Sequence, residues 1–123
     1  MMIENRIQWN DSNLIEQIID GRKTATAWPI ESGLGLDDYN TPLHVGLVYT
    51  VYDAKLNPCC RIRVTQVELV SWGSIPERLW REDPAFSGHT SLEAFINDHY
   101  DFFGQPDDDF EFLAIYFEQV ETL

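Results

Sequence analysis

The stretch Ile18-Ile19-Asp20-Gly21-Arg22-Lys23-Thr24-Ala25-Thr26 joins two kinds of local structure. Its first two residues end an apolar helical pattern, and Gly21 is the residue type that most readily closes a helix in a left-handed conformation. The threonine-rich run that follows favours a short β-strand, which Trp28-Pro29 ends. The sequence therefore predicts a sharp helix-to-strand turn with Arg22 and Lys23 at its corner.

These two cations stand out because the chain has 8 Lys and Arg residues against 21 Asp and Glu. A structural interpretation is that cations near a helix C-terminus complement its dipole. A functional interpretation is that a lysine beside another cation has a lowered pKa and acts as a nucleophile or base. Thr24 or Thr26 would then hold a water or a carbonyl group. Strict strand alternation puts Lys23 and Thr26 on opposite faces, so they converge only if Lys23 belongs to the turn.

The composition indicates one globular domain spanning residues 1–123. Hydrophobic residues make up 44% of the chain and aromatic residues 13%, which is enough for a packed core. No segment approaches the roughly 20 apolar residues of a membrane span, and the N-terminus lacks a signal-peptide core. We therefore expect a cytoplasmic protein that does not enter a membrane.

The net charge of -13 restricts the partners that the chain is expected to bind. Non-specific binding to nucleic acid requires a basic surface, and this chain would repel a phosphate backbone at long range. Any contact with nucleic acid must be local, around Arg22, Lys23, Arg61 and Arg63. A small or neutral ligand fits the charge better, although the charge is also explained by solubility alone.

The rest of the chain predicts a mixed α+β domain with mostly antiparallel strands. A phase change after Val64 indicates a β-bulge, and the last strand is apolar on both faces, which is typical of a buried middle strand. Residues 29–44 read as a long loop that could cover a cleft beside Lys23. The predicted helices are 13–20, 74–81 and 91–103, and the predicted strands are 23–28, 46–53, 59–70 and 110–120.

No residue pattern indicates a metal or a cofactor, and we expect neither. Cys59 and Cys60 are adjacent and are the only cysteines, so we expect one to face inward and one outward. The histidines match no metal-binding spacing, and His99 reads as a hydrogen-bonded core residue on an apolar helix face. The acidic turn 107–109 reads as solvated. The aromatic residues that could stack on a base are for the most part expected in the core: Trp28, Tyr39, Trp72 and Trp80.

The segment Gly21-Arg22-Lys23-Thr24-Ala25-Thr26 resembles the G-x-K-T-x-T signature of the ASCH family. Residues 58–68, 91–103 and 116–120 are also similar to that family in order and spacing, so the resemblance extends from about Ile15 to Val120. It implies a PUA-like fold, a small curved β-barrel of mainly antiparallel strands with flanking helices, whose cleft is lined by the signature. The family is associated with RNA recognition. It includes an amidohydrolase that removes an acetyl group from the exocyclic amine of cytidine, and members described as ribonucleases.

The resemblance also implies site residues, because the amidohydrolase uses the lysine and the second threonine of the signature, here Lys23 and Thr26. The glutamate that works with them before the third helix is not matched. Glu82 and Asp83 are the nearest carboxylates, and His89 stands where an acid would be expected.

Two hypotheses follow from the sequence. The first is a module that binds RNA or a nucleoside-type small molecule, and the missing acid favours it. Its predicted ligand-binding residues are Arg22, Lys23, Thr24, Thr26, Trp28, Arg61 and Arg63. The second is a hydrolase whose catalytic residues are Lys23, Thr26 and Glu82, or Asp83 in place of Glu82. Under both hypotheses the Lys23 amine should face a cleft, and Lys23→Ala should leave the melting temperature nearly unchanged.

Overall fold

Residues 4–30, 43–84 and 87–123 are described by the computed structural model, and their strands form one sheet. The predicted loop 29–44 lies largely outside these residues. Trp72–Ser74 forms a single 3-10 turn. The elements are β1 (Arg6–Gln8), α1 (Ser12–Ile19), β2 (Ala25–Trp28), β3 (Val48–Tyr52), β4 (Pro58–Ser71), α2 (Glu77–Glu82), α3 (Leu92–His99) and β5 (Glu111–Thr122).

The five strands are ordered β1-β3-β4-β5-β2 and curl into a half-barrel. β1 pairs with β3 in parallel, and the other three pairings are antiparallel. The predicted α+β fold, with a single curved and mainly antiparallel sheet flanked by helices, is confirmed. β2, which carries the end of the signature segment, lies at one edge of this sheet.

The strand β1 was not predicted. Its three residues are too few to show an alternating pattern, and they are recruited by parallel pairing with residues Thr50 to Tyr52 of β3. The Trp9 N–H extends the pairing by donating to the Tyr52 carbonyl at 3.0 Å. A strand of this kind is defined by its partner and not by its own sequence.

Two predicted helix boundaries were wrong. The helix predicted from Ser74 begins at Glu77, because Pro76 stands at the N-cap and Ser74 belongs to the preceding 3-10 turn. The helix predicted to reach residue 103 ends at His99, and the following residues form turns before Gly104 at φ 75°. In both places hydrogen-bonded turns take the place of the α-helical turns that the side-chain spacing predicted.

The β-bulge and the buried last strand were predicted correctly. The register of β4 against β5 shifts between Val64 and Gln66, where the apolar phase changes, and shifts again between Arg61 and Ile62. β5 lies between β4 and β2 and is buried at its centre. Since both its faces are covered, β5 contributes side chains to a hydrophobic cluster on each face of the sheet.

The sheet has one hydrophobic cluster on each face. The first cluster includes α1 residues with Trp9, Trp28 and Phe117, and the second packs α2 and α3 against β2 and β5. Trp28 of β2 belongs to the first cluster, whereas Ala25 and Ala27 belong to the second. As predicted for the cysteine pair, Cys60 is buried and Cys59 is partly exposed. The edge strand β2 is therefore buried on both faces, with α1 packed on one side of the sheet and α2 and α3 on the other.

Among the described residues, no helix has the length and apolar character needed to cross a lipid bilayer.

Candidate functional site

The turn after α1 places Lys23 outside the strand. Gly21 adopts φ 81°, and the N–H groups of Arg22 and Lys23 both donate to the Gln17 carbonyl, at 2.9 and 3.0 Å. β2 begins only at Ala25. Lys23 therefore belongs to the turn, which is the condition under which its side chain can approach that of Thr26.

The Lys23 amine forms a buried ion pair. Its Nζ donates to Asp83 Oδ1 at 2.6 Å and to the Ala25 carbonyl at 2.9 Å. The Lys23 side chain is 2% exposed and that of Asp83 is 1% exposed. Ions removed from water to this extent are stable only when they are paired and hydrogen-bonded. The amine therefore does not project into solvent, and these two bonds use two of the three donors of the ammonium group.

His99 lies behind this pair. Its Nε2 is 3.9 Å from Asp83 Oδ2, and its Nδ1 is 2.8 Å from the Phe95 carbonyl. Because a carbonyl only accepts, Nδ1 carries the hydrogen, and Nε2 is directed toward Asp83. Burial lowers the pKa of His99, and the charge of Asp83 opposes this shift. Lys23, Asp83 and His99 thus form a buried row of three titratable groups.

The two carboxylates that end α2 bind two consecutive residues of the signature segment. Glu82 Oε1 accepts from the Thr24 hydroxyl at 2.7 Å, and the Glu82 carbonyl accepts from the Thr24 N–H at 2.9 Å. Asp83 accepts from the Lys23 amine through its carboxylate. Asp83, and not Glu82, is therefore the acid in contact with Lys23.

The hydroxyl of Thr26 lies at the same sheet edge as the Lys23 amine. Since the Thr24 carbonyl accepts from the Phe117 N–H of β5, the carbonyls of Ala25 and Ala27 point away from β5. Lys23 Nζ bonds the first of these carbonyls, and Thr26 Oγ1 lies 3.5 Å from the second. The Lys23 amine and the Thr26 hydroxyl therefore each lie at a carbonyl of the outer edge of β2.

Trp28 is a core residue in this structure. It is 8% exposed, and its ring meets that of Trp9 edge-on, with 6.2 Å between centroids. Its Nε1 is buried, with no hydrogen-bond partner in the described part of the chain. Its ring is therefore not an exposed stacking surface.

The three predicted arginines bind carboxylates close to them on the surface. Arg22 pairs with Asp20 at 3.1 Å, so its charge is not directed at the Lys23 amine. Along β4, which is paired with β5, Arg63 bonds Glu118 at 3.0 Å and Arg61 pairs with Glu121. The structure thus shows these arginines held in exposed ion pairs.

Sequence reasoning missed Arg78. Its Nε donates to Glu82 Oε2 at 2.7 Å, and its guanidinium lies 3.9 Å from the centre of the Tyr116 ring. Burial raises the pKa of Tyr116. The spacing of four residues between Arg78 and Glu82 on one helix was the only signal in the sequence. That spacing is common in surface pairs and does not point to a site.

Within residues 4–30, 43–84 and 87–123, no cluster of three or more His, Cys, Asp or Glu is arranged to hold a metal ion. The acidic turn is exposed at Asp107, Asp108 and Asp109. His89 is also exposed, and its N–H donates to Ser87 Oγ at 3.3 Å. The buried titratable side chains that lie together in the described residues are Lys23, Asp83 and His99.

The half-barrel has the fold of ASCH domains, as the signature resemblance implied. An ASCH domain from Lactobacillus crispatus matches with a TM-score of 0.73 and 19% identity, over 96% of this chain and 79% of that chain. A DUF984 protein from Enterococcus faecalis matches with a TM-score of 0.66 and 20% identity, over 100% of this chain and 84% of that chain. No protein-family profile and no curated protein sequence matches the chain. The likeness to these solved structures therefore establishes the fold.

Proposed function

We propose that the protein binds a small nucleobase-containing ligand, such as a free or modified nucleoside, at the edge of β2 around Lys23 and Thr26. The observation that carries this proposal is the buried Lys23–Asp83 pair, which holds the signature segment of an ASCH-like fold in one conformation. A pre-ordered polar segment lowers the entropic cost of binding a small ligand.

The pairing of the basic residues supports a nucleoside over a long RNA. At least six of the eight Lys and Arg side chains, all in described parts of the chain, are ion-paired with carboxylates. The net charge is -13. Binding to a phosphate backbone draws most of its affinity from unpaired cations that displace counterions. A nucleoside carries no phosphate and does not depend on such cations.

The edge of β2 supplies groups that suit a nucleobase. Base edges present alternating donors and acceptors. The third donor of the Lys23 ammonium group and the hydroxyl of Thr26, which both donates and accepts, complement such an edge. Thr26 is 6% exposed and its own bond is long at 3.5 Å. Its hydroxyl therefore has more to gain from a ligand than a hydroxyl that is already well bonded.

A screen of free and modified nucleosides tests the proposal. We expect at least one of them to raise the melting temperature, with little dependence on salt. Thr26→Val should weaken its binding about tenfold because a buried polar group of the ligand loses its partner. Thr65→Val, at an exposed position of β4, is the control and should bind as the wild type does. Binding of an RNA oligomer without binding of any nucleoside would overturn the proposal.

The contact between Asp83 and Lys23 favours hydrolysis as a second candidate function. Lys23 would donate a hydrogen bond to a carbonyl oxygen and stabilise the negative charge that develops on it. Asp83, backed by His99, would accept a proton from the attacking water and return it to the amine that leaves as the C–N bond breaks. Thr26 would position the substrate.

Release of acetate from acetylated cytidine distinguishes the two candidates. Turnover by the wild type that is lost in a folded Asp83→Asn variant would establish the hydrolase. Glu82→Gln tests the acid named from the sequence, and it should lower turnover less than Asp83→Asn because Glu82 contacts Thr24 and not Lys23. Nucleoside binding without turnover would leave the binding function standing.

A further inference from the structure

We propose that Arg78 is a positioning residue of the site, acting through Glu82 on Thr24 and thereby on the adjacent Lys23. The expected effect of Arg78 on nucleoside binding rests on the proposed function. The link from Arg78 through Glu82 to Thr24 is tested without any ligand.

Glu82 links the end of α2 at two points to Thr24, the residue just before β2. Its carbonyl and its carboxylate both accept from Thr24, at 2.9 and 2.7 Å, across 58 residues of sequence. A residue bound through both its N–H and its hydroxyl has little freedom to rotate. The orientation of the Glu82 carboxylate therefore sets the conformation of Thr24.

Arg78 holds that carboxylate in one orientation. Its Nε donates to Glu82 Oε2 at 2.7 Å, and its Nη1 donates to Gln66 Oε1 at 2.7 Å. The guanidinium carbon also lies over the Tyr116 ring, 3.9 Å from its centre. Gln66 on β4 and Tyr116 on β5 face each other in the sheet register. The planar guanidinium is thus held against the sheet, and its bond to Glu82 holds the Glu82 carboxylate in one orientation.

The orientation of Glu82 also affects Lys23, because Glu82 and Asp83 are adjacent in the chain and so are their partners, Thr24 and Lys23. Glu82 and Asp83 end α2, and they bind Thr24 and Lys23, which precede β2. If Glu82 loses its orientation, Thr24 loses its side-chain bond, and the backbone that carries Lys23 is less restrained. We expect the Lys23–Asp83 ion pair itself to persist, since it is buried.

The same helix offers a matched control. Arg81 pairs with Glu77 at 2.9 Å, also four residues apart, and both side chains are 64% exposed. Glu77 has no described bond to the signature segment. Exposed pairs of this kind contribute little to stability. A difference between the Arg78 and Arg81 variants therefore reports the link to Thr24 and not the general effect of removing a surface cation.

The experiment compares Arg78→Ala, Arg78→Lys and Arg81→Ala by amide hydrogen exchange of Thr24 and by nucleoside affinity. We expect Arg78→Ala to speed Thr24 exchange about tenfold, with Ile115 of β5 unchanged as the measure of global stability. We expect it to weaken binding of the best nucleoside about fivefold, since the site is less pre-ordered. Arg81→Ala should change neither quantity by more than about twofold. Arg78→Lys should restore part of the protection, because an ammonium group pairs with Glu82 but cannot also bond Gln66 in the same plane.

Equal Thr24 exchange in Arg78→Ala and Arg81→Ala would overturn the positioning role, whether or not a nucleoside binds. Faster Thr24 exchange in Arg78→Ala with unchanged nucleoside affinity would overturn the effect on the site. Faster exchange together with a wild type that binds no nucleoside would support the structural link and reject the proposed function. The two failures are thus distinguishable.

Discussion

Lys23 Nζ and Asp83 Oδ1 lie 2.6 Å apart, joining residues that are 60 positions apart in the sequence. The two side chains are 2% and 1% exposed, so neither charge has water as an alternative partner. This burial removes the basis for the expectation that Lys23→Ala would leave the melting temperature nearly unchanged. That expectation treated Lys23 as a lysine whose charge the fold does not need.

Lys23→Ala should lower the free energy of unfolding by about 3–5 kcal/mol, because it leaves the Asp83 carboxylate buried without its cation. Urea unfolding followed by circular dichroism measures the change. Lys55→Ala, at an exposed turn position, is the control and should change stability by less than about 0.5 kcal/mol. The double variant Lys23→Met with Asp83→Leu should recover much of the loss, since no buried charge remains. A Lys23→Ala variant as stable as Lys55→Ala would contradict the buried pair.

Acidification from pH 7 to 5.5 should destabilise the protein through His99. Burial lowers the pKa of His99 below its ordinary value of 6.5, so the unfolded state binds the proton more readily than the folded state. This contribution to stability is fully present above pH 6.5 and is lost as the pH falls below it. The charged groups that act on the ring are Asp83 and Asp98, which oppose the shift, and Lys23, which adds to it.

His99→Gln is the variant that isolates this effect. Its stability should change less between pH 7 and 5.5 than that of the wild type, whereas His89→Gln, at an exposed position, should keep the full change. Urea midpoints at each pH give the comparison. A wild type that becomes more stable on acidification would mean that the Asp83 charge outweighs burial and holds His99 protonated.

Gly21→Ala should lower the free energy of unfolding by about 1–2 kcal/mol, because an L-residue with a Cβ is strained at a positive φ. Gly21 has φ 81°, and an added Cβ would meet no atom within 4 Å, so the cost comes from the backbone and not from a clash. Gly21→Asn should cost less, since Asn tolerates the left-handed conformation. Thermal unfolding measures both variants, and an Asn variant less stable than the Ala variant would count against this cause.

The two cysteines should react at different rates. Burial and the neighbouring Cys59 raise the pKa of Cys60 to about 11, and the Cys60 side chain is 0% exposed. Because the thiolate is the nucleophile, iodoacetamide at pH 8 should modify Cys59 first and Cys60 only on unfolding. Mass spectrometry of digested protein, with a Cys59→Ser variant for comparison, assigns the sites. Equal rates in the folded protein would show that Cys60 is reached by solvent.

Much of the local structure around the candidate site was predictable. Helix α1 follows an apolar periodicity, and Gly21 ends it at the predicted place because few other residues adopt its positive φ at low cost. Lys23 and Thr26 were selected by their resemblance to the ASCH signature, and the structure places both at the edge of β2. The helix predicted from Ser74 was wrong because a capping pattern outside its context also fits a 3-10 turn.

The contacts between these segments were not predictable in the same way. Glu82 and Asp83 were both candidates for the acid expected before the third helix, and Glu82 was named first although no physical ground distinguished the two. Arg78 looked like half of an ordinary surface ion pair, and His99 like a hydrogen-bonded core residue. Each of their roles depends on an atom that the chain brings in from a distant segment.

By itself, the sequence determined the helix, the turn at Gly21 and the strand that follows, because backbone conformation and apolar periodicity are local properties. Only the tertiary structure decided that Asp83 meets Lys23 while Glu82 meets Thr24. Consecutive residues at the end of a helix point about 100° apart, so the angle at which α2 meets β2 selects which carboxylate reaches which residue. That angle is set by packing between α2, α3 and the sheet, which no local pattern encodes.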